Sequence, residues 1–476
     1  MAQRRIIVLE FNELCPELLQ RWMADGSLPN FKHFYDASQA YIAHADVDLP
    51  LEPWIQWYSM HTGLSYPQHH VRHLTDGPRV KHEHSDIWRV LLDAGYRVAN
   101  CGSMNASGFR APGSFFLPDP WCTTEQPWPE DLAAYQRVVL ANVQENTNAS
   151  GGLDRKAYLD FLRFTCTHGL SARSVHAVLK QLATERFSKG TSWRRAALLD
   201  KIQTDLFLHY WRRMKPDFST FFLNSTAHFQ HAYFHLLAPE SFDLPASAFA
   251  DDEHRDAILF GFQQMDRLLA DFMALERQGV TLILATALSQ QPNPGAAAQF
   301  YRPRNMKQLF NTVGVQSFTL LPVMAQKYSA EFPNQAAADD ARTRLEGLLY
   351  AGEPAFEFSP AKPATLYFGF AFHGYVPDDA VLQLPSNDRP SIPFYELFYR
   401  MPHAKSGAHH PDSVLWFKTG QHCVAPQPVS ILDLFPTLLD YFAVPVPRNG
   451  SYVREGRSLL PELEIERYAP PIAMVA

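Results

Sequence analysis

Two histidines three residues apart, His228 and His231, have the spacing that places side chains on one face of a helix. Zinc accepts histidine and carboxylate ligands alike, so such a face could contribute to a metal site. His228 is also typical of a satisfied polar residue at a helix start. Glu52 precedes Pro53, which is well suited to the first turn of a helix. A carboxylate is favourable at that end, where Glu52 could act as base or nucleophile or serve only as a helix-terminal charge.

The elements that would position these residues are those of an α/β protein. Residues 6–9 form a short apolar run, and Pro16 and Gly26 bracket a helix pattern at 16–25. Apolar runs at 218–223 and 280–285 are continuous, as expected of strands buried on both faces of a sheet. Strands alternating with amphipathic helices predict helices packed on a parallel sheet.

Two long segments depart from that alternation. Residues 125–215 are mostly helical and polar in pattern, which predicts a helical insertion or cap. Residues 300–400 are mixed and Pro-rich in places, which predicts a second insertion or smaller late subdomain. Both are expected to decorate a single domain that spans residues 1–476.

Composition excludes several classes of function. The chain of 476 residues is 46% hydrophobic and carries a formal net charge of −7, without the basic clusters that bind nucleic acid. No apolar run approaches the roughly 18 residues that a membrane-spanning helix needs. The five cysteines are scattered and odd in number, which is typical of a reducing compartment. We therefore expect a cytoplasmic protein.

Five ordered segments carry a resemblance to a known family: 7–19 (IVLEFNELCPELL), 27–31 (SLPNF), 62–64 (TGL), 407–412 (GAHHPD) and 431–439 (ILDLFPTLL). Together they are similar to the alkaline phosphatase superfamily, in particular to type I phosphodiesterases and nucleotide pyrophosphatases. The resemblance implies a three-layer α/β/α sandwich. It also implies phosphoester chemistry at two metal ions, usually zinc, that stabilise charge on the transferring group.

The same resemblance places the metal ligands and shows that most are missing. The family's ligand positions fall on Asn12, Ala227, His231, Ala287, Leu288 and His409. Only His231 and His409 keep a ligand type, and both positions serve the same metal in the family. The other metal loses its adjacent Asp-His pair to Ala287 and Leu288, which cannot bind metal.

The remaining metal site therefore has two imidazoles and no carboxylate at the expected position. The sequence offers His228, Glu52, Glu10 or Asn12 to complete a mononuclear site. Asn12 could instead bind a substrate oxygen through its amide or cap a loop. The family's hydroxyl nucleophile falls on Pro53, so the phosphorylated-threonine mechanism does not transfer.

Three functions remain open. The first is an atypical hydrolase or transferase of a small-molecule or glycan phosphate or sulfate ester, with zinc or another divalent metal at His231 and His409 and with Glu52, Asn12 and His228 as catalytic candidates. The second is a metal-free pseudoenzyme that binds an anionic metabolite, glycan or protein partner in the old cleft. The third is a metal-free group transferase with Glu52 or a histidine as base.

Overall fold

The protein is described here by a computed structural model. The described residues are 5–45, 51–72, 76, 83–147, 154–244, 249–294, 301–321, 327–372, 375–385, 390–401, 405–448, 452–463, 465 and 467–468. None of the helices within these ranges combines the length and the apolar character needed to cross a bilayer.

A large mixed sheet forms the centre of the molecule. Its strands are β1 (Arg5–Phe11), β2 (Gln39–His44), β3 (Val98–Cys101), β4 (Phe115–Leu117), β5 (Phe218–Leu223), β6 (Val280–Ala285), β19 (Asp412–Phe417), β20 (Cys423–Val424) and β21 (Val429–Ser430). Their order is β20-β2-β19-β6-β1-β5-β3-β4, and β21 pairs with β2. The strands from β6 to β4 run parallel, while β19 is antiparallel to both of its neighbours.

Helices cover both faces of this sheet. The helices of the described residues are α1 (Pro16–Ala24), α2 (Pro29–Tyr35), α3 (Pro53–Thr62), α4 (Tyr66–His69), α5 (Ile87–Asp93), α6 (Ala133–Thr147), α7 (Arg155–Thr167), α8 (Ala172–Phe187), α9 (Arg195–Met214), α10 (Ser225–Leu237), α11 (Ala257–Met273), α12 (Met306–Thr312), α13 (Gln335–Glu346), α14 (Phe394–Leu397) and α15 (Leu434–Tyr441). Of these, α12, α13 and α14 pack in a separate hydrophobic cluster and not on this sheet.

The central strand shows why the arrangement has three layers. Along β1, Ile7 and Leu9 belong to a core shared with α1, α2, α9, α10 and α11, whereas Ile6 and Val8 belong to a core shared with α3, α5 and α15. Alternate side chains of a strand point to opposite faces, so a strand buried on both faces needs apolar residues at every position. The predicted α/β/α sandwich is confirmed.

The two segments set apart in the sequence pack differently. Within the described part of residues 125–215, four helices, α6 to α9, occupy most of the segment, and their buried aromatic side chains join the core on one face of the central sheet. Residues 301–398 build a separate hydrophobic cluster around Phe310, Phe356 and Phe368. The described residues contain twelve further short strands: β7 (Ser289–Pro292), β8 (Tyr301–Pro303), β9 (Thr319–Leu321), β10 (Lys327–Glu331), β11 (Leu349–Tyr350), β12 (Glu353–Pro354), β13 (Phe356–Ser359), β14 (Thr365–Phe370), β15 (Val381–Gln383), β16 (Ser391–Pro393), β17 (Phe398–Arg400) and β18 (Gly407–His410).

Candidate metal centre

The carboxyl ends of β1 and β5 bring two chain segments together at one edge of the sheet. The strands are parallel and in register, with Phe11 opposite Leu223. Asn12 and Glu13 follow β1, and Asn224 follows β5 immediately before α10 begins at Ser225. Open α/β sheets bind ligands at the carboxyl ends of their strands. The first polar residues of this edge therefore lie where a site is expected.

A small antiparallel ladder supplies the third segment of the site. β7 pairs with β18 so that Gln290 lies opposite His409, and α10 packs against both strands. Gly407 permits this approach, because a Cβ atom there would lie 2.6 Å from the carbonyl oxygen of Gln230. The Ser406 amide also donates to the carbonyl of His231 at 2.7 Å. The late histidine is thereby held against the helix that carries His231.

Glu13, His231 and His409 converge into one cluster. The Oε2 atom of Glu13 lies 3.1 Å from Nε2 of His231 and 3.4 Å from Nε2 of His409. One ligand atom from each of the three side chains lies within 4.8 Å of the others, and this is the only such group of three or more among the described residues. Two imidazoles and one carboxylate are a donor set that zinc accepts.

The hydrogen bonds of the two imidazoles fit a shared cation. Nδ1 of His231 lies 3.1 Å from the carbonyl oxygen of Gly407, which can only accept, so Nδ1 carries the proton. Because burial lowers the pKa of His231, the neutral ring is favoured, and in that form Nε2, on the side of Glu13, carries the lone pair. Nε2 of His409 is buried and has no hydrogen-bond partner among the described residues. Both Nε2 atoms thus lie beside Oε2 of Glu13, where one cation could be bound by all three side chains.

The charges within the cluster are strongly coupled. Burial would raise the pKa of Glu13, but His409 and His231 hold it well below 4.5. Burial would lower the pKa of His409, but the charges of Glu13 and Glu52 hold it above 6.5. Burial does lower the pKa of His231. One positive charge thus balances Glu13, and a divalent ion bound here would displace that proton.

Glu13 reaches the histidines because its backbone is in the left-handed region, with φ of 61°. That conformation is uncommon for a residue other than glycine and must be held by its surroundings. The side chain of Gln230 provides the support, since Nε2 donates to the carbonyl of Glu13 at 2.7 Å and Oε1 accepts from the Cys15 amide at 3.1 Å. Gln290 donates from Nε2 to Oε2 of Glu13.

The structure places a carboxylate that the sequence does not predict, Glu13, beside the two histidines. The family pattern points instead to Asn12, the residue before it. The available signal was a carboxylate directly after the first strand. Asn12 is instead fully buried beside the cluster, and His228 is exposed on α10 and is not part of it. Glu10 pairs separately with buried His61 at 2.9 Å.

Glu52 lies at the edge of the cluster. Its Oε2 atom is 3.8 Å from Nδ1 of His409, and its side chain is 37% exposed. Glu52 is the N-cap residue of α3, yet its side chain makes no capping hydrogen bond. Burial raises its pKa, opposed by the charge of His409. The carboxylate therefore faces the site instead of closing the helix end.

The positions expected for the second metal are filled with apolar side chains. Ala287 and Leu288 are fully buried and belong to the hydrophobic core between the sheet and α3. Ala227, which falls on the Asp of the family's Asp-x-x-x-His pair and so belongs with His231 and not with the second metal, is also buried on α10. The substitutions read from the sequence thus correspond to packed core.

No protein-family model and no curated protein matches the chain. Among solved structures, it is similar to phosphonoacetate hydrolase from Sinorhizobium meliloti (12% identity, 91% of this chain and 94% of that one, TM-score 0.42). It is similar to human ectonucleotide pyrophosphatase/phosphodiesterase 5 (10% identity, 97% and 100%, TM-score 0.45). It is also similar to the alkaline phosphatase PafA (12% identity, 96% and 99%, TM-score 0.45).

Proposed function

We propose that the chain is a hydrolase or transferase of phosphate or sulfate esters that uses one divalent metal ion, zinc in the first instance, held by Glu13, His231 and His409. The observation that carries the proposal is the convergence of these three side chains, buried or partly buried, with Nε2 of His409 unpartnered. With three protein ligands, a tetrahedral ion keeps one position open for water or substrate.

A metal ion in this position would polarise an ester oxygen and lower the pKa of a bound water or hydroxyl. The protein's own contribution is to orient the ligands and to move protons. Glu52 is the proton acceptor in this proposal, because it lies next to His409, is partly exposed and has a raised pKa. A carboxylate with a raised pKa is better matched to general base catalysis near neutral pH.

The attacking group in this proposal is a water molecule or a substrate hydroxyl. α3 begins at Pro53, where the resembled family carries its hydroxyl nucleophile, and the neighbouring described residues Leu51, Glu52 and Trp54 carry no hydroxyl or thiol. Direct attack by water gives hydrolysis, and attack by an acceptor hydroxyl gives group transfer. Both reactions use Glu52 in the same role.

Elemental analysis of protein purified without a histidine tag tests the metal site. We expect about one zinc or other divalent ion per chain, lost in His231→Ala, His409→Ala and Glu13→Gln. His228→Ala is the matched control, because His228 lies on the same helix but is exposed and outside the cluster. Wild-type protein that stays metal-free after incubation with zinc overturns the proposal.

One observation favours a second candidate, a metal-free protein that binds an anionic metabolite, a glycan or a protein partner. His409 can balance the charge of Glu13 without any metal, since its pKa is raised. A metal-free protein that binds such a ligand unchanged in the presence of chelator would support this reading. A metal-free transferase would also be insensitive to chelator, but it would lose turnover in Glu52→Gln.

A further inference from the structure

The side chain of Asn12 is oriented by a tryptophan beneath the site. Trp57 is fully buried on α3, and its indole nitrogen Nε1 donates to Oδ1 of Asn12 at 2.7 Å. An indole N–H can only donate, so the oxygen of the Asn12 amide must face Trp57 and its nitrogen must face away. The tryptophan thereby selects one of the two orientations of the amide.

That orientation commits both hydrogens of the Asn12 amide. Nδ2 donates to Oε1 of Glu13 at 2.7 Å and to Oδ1 of Asn224 at 2.7 Å. Asn12 is completely buried, so water does not compete for these bonds. With its donors used and its oxygen occupied by Trp57, the amide is a rigid support and not a free ligand.

We propose that Trp57 and Asn12 are positioning residues that make Glu13 a one-oxygen ligand; this inference rests on the proposed metal site. Asn12 occupies Oε1 of Glu13, which leaves Oε2 as the oxygen directed at His231 and His409. Gln290 steadies Oε2 from the other side. The carboxylate is therefore fixed before a metal binds. Metal binding then carries little entropic cost for ordering this side chain, which raises the affinity.

Trp57→Phe tests the inference, with Trp88→Phe as a matched control. Both tryptophans are fully buried and both pack on His61, with ring centroids 5.5 Å and 4.7 Å away. Nε1 of Trp88, however, has no hydrogen-bond partner among the described residues. Both substitutions remove similar apolar area, but only Trp57→Phe releases the Asn12 amide.

We expect Trp57→Phe to weaken zinc binding by about 10-fold or more, as for other groups that orient metal ligands, and Trp88→Phe to leave it within roughly 2-fold. Competition with a chromophoric chelator gives the affinity. The visible absorption spectrum of the cobalt-substituted protein should change in Trp57→Phe only, because the carboxylate changes its binding mode. Thermal unfolding of the chelated proteins measures the loss of stability separately, and we expect a larger loss in Trp57→Phe, because Oδ1 of Asn12 is left buried without its donor.

Asn12→Leu provides a second variant if Trp57→Phe does not fold, since it removes the amide at similar volume and should also weaken zinc binding. Equal zinc affinities and equal cobalt spectra in wild type, Trp57→Phe and Trp88→Phe overturn this inference but leave the metal site intact. Wild-type protein that binds no metal overturns the proposed function as well. The two failures are thus distinguished by the wild-type measurement alone.

Discussion

The cluster of Glu13, His231 and His409 and the segment around Ala287 and Leu288 lie at the same edge of the central sheet but have opposite character. The first is polar and partly open, and its buried Nε2 atom of His409 makes no hydrogen bond and lies 3.4 Å from Oε2 of Glu13. The second is closed and continuous with the hydrophobic core. A polar group buried without partners is costly, whereas apolar side chains at the same depth are stabilising.

The difference in packing gives the two regions different parts in stability. Ala287 and Leu288, which we call the closed half of this edge, pack within the apolar core and contribute to folding. The cluster of Glu13, His231 and His409, which we call the retained half, has buried polar atoms whose hydrogen bonds the protein itself does not complete. Such atoms are typical of residues that bind a ligand or take part in chemistry. The retained half also has its own support in Asn12, Gln230 and Gln290.

The sharpest test of the closed half is to place there the ligand types that the resembled family would carry. The double substitution Ala287→Asp with Leu288→His places a carboxylate and an imidazole in the apolar core. We expect a loss of more than about 4 kcal/mol in the free energy of unfolding, because a buried charge without partners is strongly destabilising. Urea unfolding with and without zinc measures it.

Leu288→Met is the control for that experiment, since it conserves volume and should cost less than about 1.5 kcal/mol. A stable double variant that binds two zinc ions per chain would contradict the view that this half is closed. It would show instead that the core can reopen around a metal.

The next largest effect is expected in the retained half, at Glu52. Glu52→Gln removes the proposed proton acceptor and should lower turnover of a phosphate or sulfate ester by about 100-fold or more. Metal content should stay near wild type, because the closest approach of Glu52 to the cluster is 3.8 Å, to Nδ1 of His409. Glu130→Gln, at an exposed carboxylate, is the control. Undiminished turnover in Glu52→Gln would remove Glu52 from the mechanism.

Much of the framework could be predicted from the sequence, because buried strands have a local signature. The apolar runs at Phe218–Leu223 and Val280–Ala285 coincide with β5 and β6, and Pro16 starts α1 as expected. Pro53 likewise begins α3 and leaves Glu52 at its N-cap. In each case the residues that define the element lie next to one another in the chain.

The site could be predicted only in part, because its completion depends on contacts between distant segments. The role of Glu13 requires a left-handed backbone, and the support for that conformation comes from Gln230 on another element. Gln290 is brought to the site only by the pairing of β7 with β18. No local pattern signals either contact. The family pattern therefore pointed to Asn12, one residue away from the carboxylate that joins the histidines.

The smallest predicted effect is the contribution of the charge pair of Glu13 and His409 to the stability of the protein without metal. In chelated protein, the depressed pKa of Glu13 gives stability that is present above about pH 4.5 and is lost as the pH falls through its lower folded value. The raised pKa of His409 gives stability that is present below about pH 6.5 and is lost as the pH rises through its higher folded value. The pair should therefore stabilise the chelated protein most between these two pH values.

Glu13→Gln should accordingly cost roughly 1.5–3 kcal/mol near pH 5.5, the range for hydrogen bonds to charged groups, and less at pH 3 and at pH 9. Urea unfolding of wild type and variant across this range gives the difference, and Glu130→Gln should show no such maximum. A cost that does not vary with pH would mean that Glu13 and His409 are not charged together without metal. The retained half would then lack the internal charge balance that distinguishes it from the closed half.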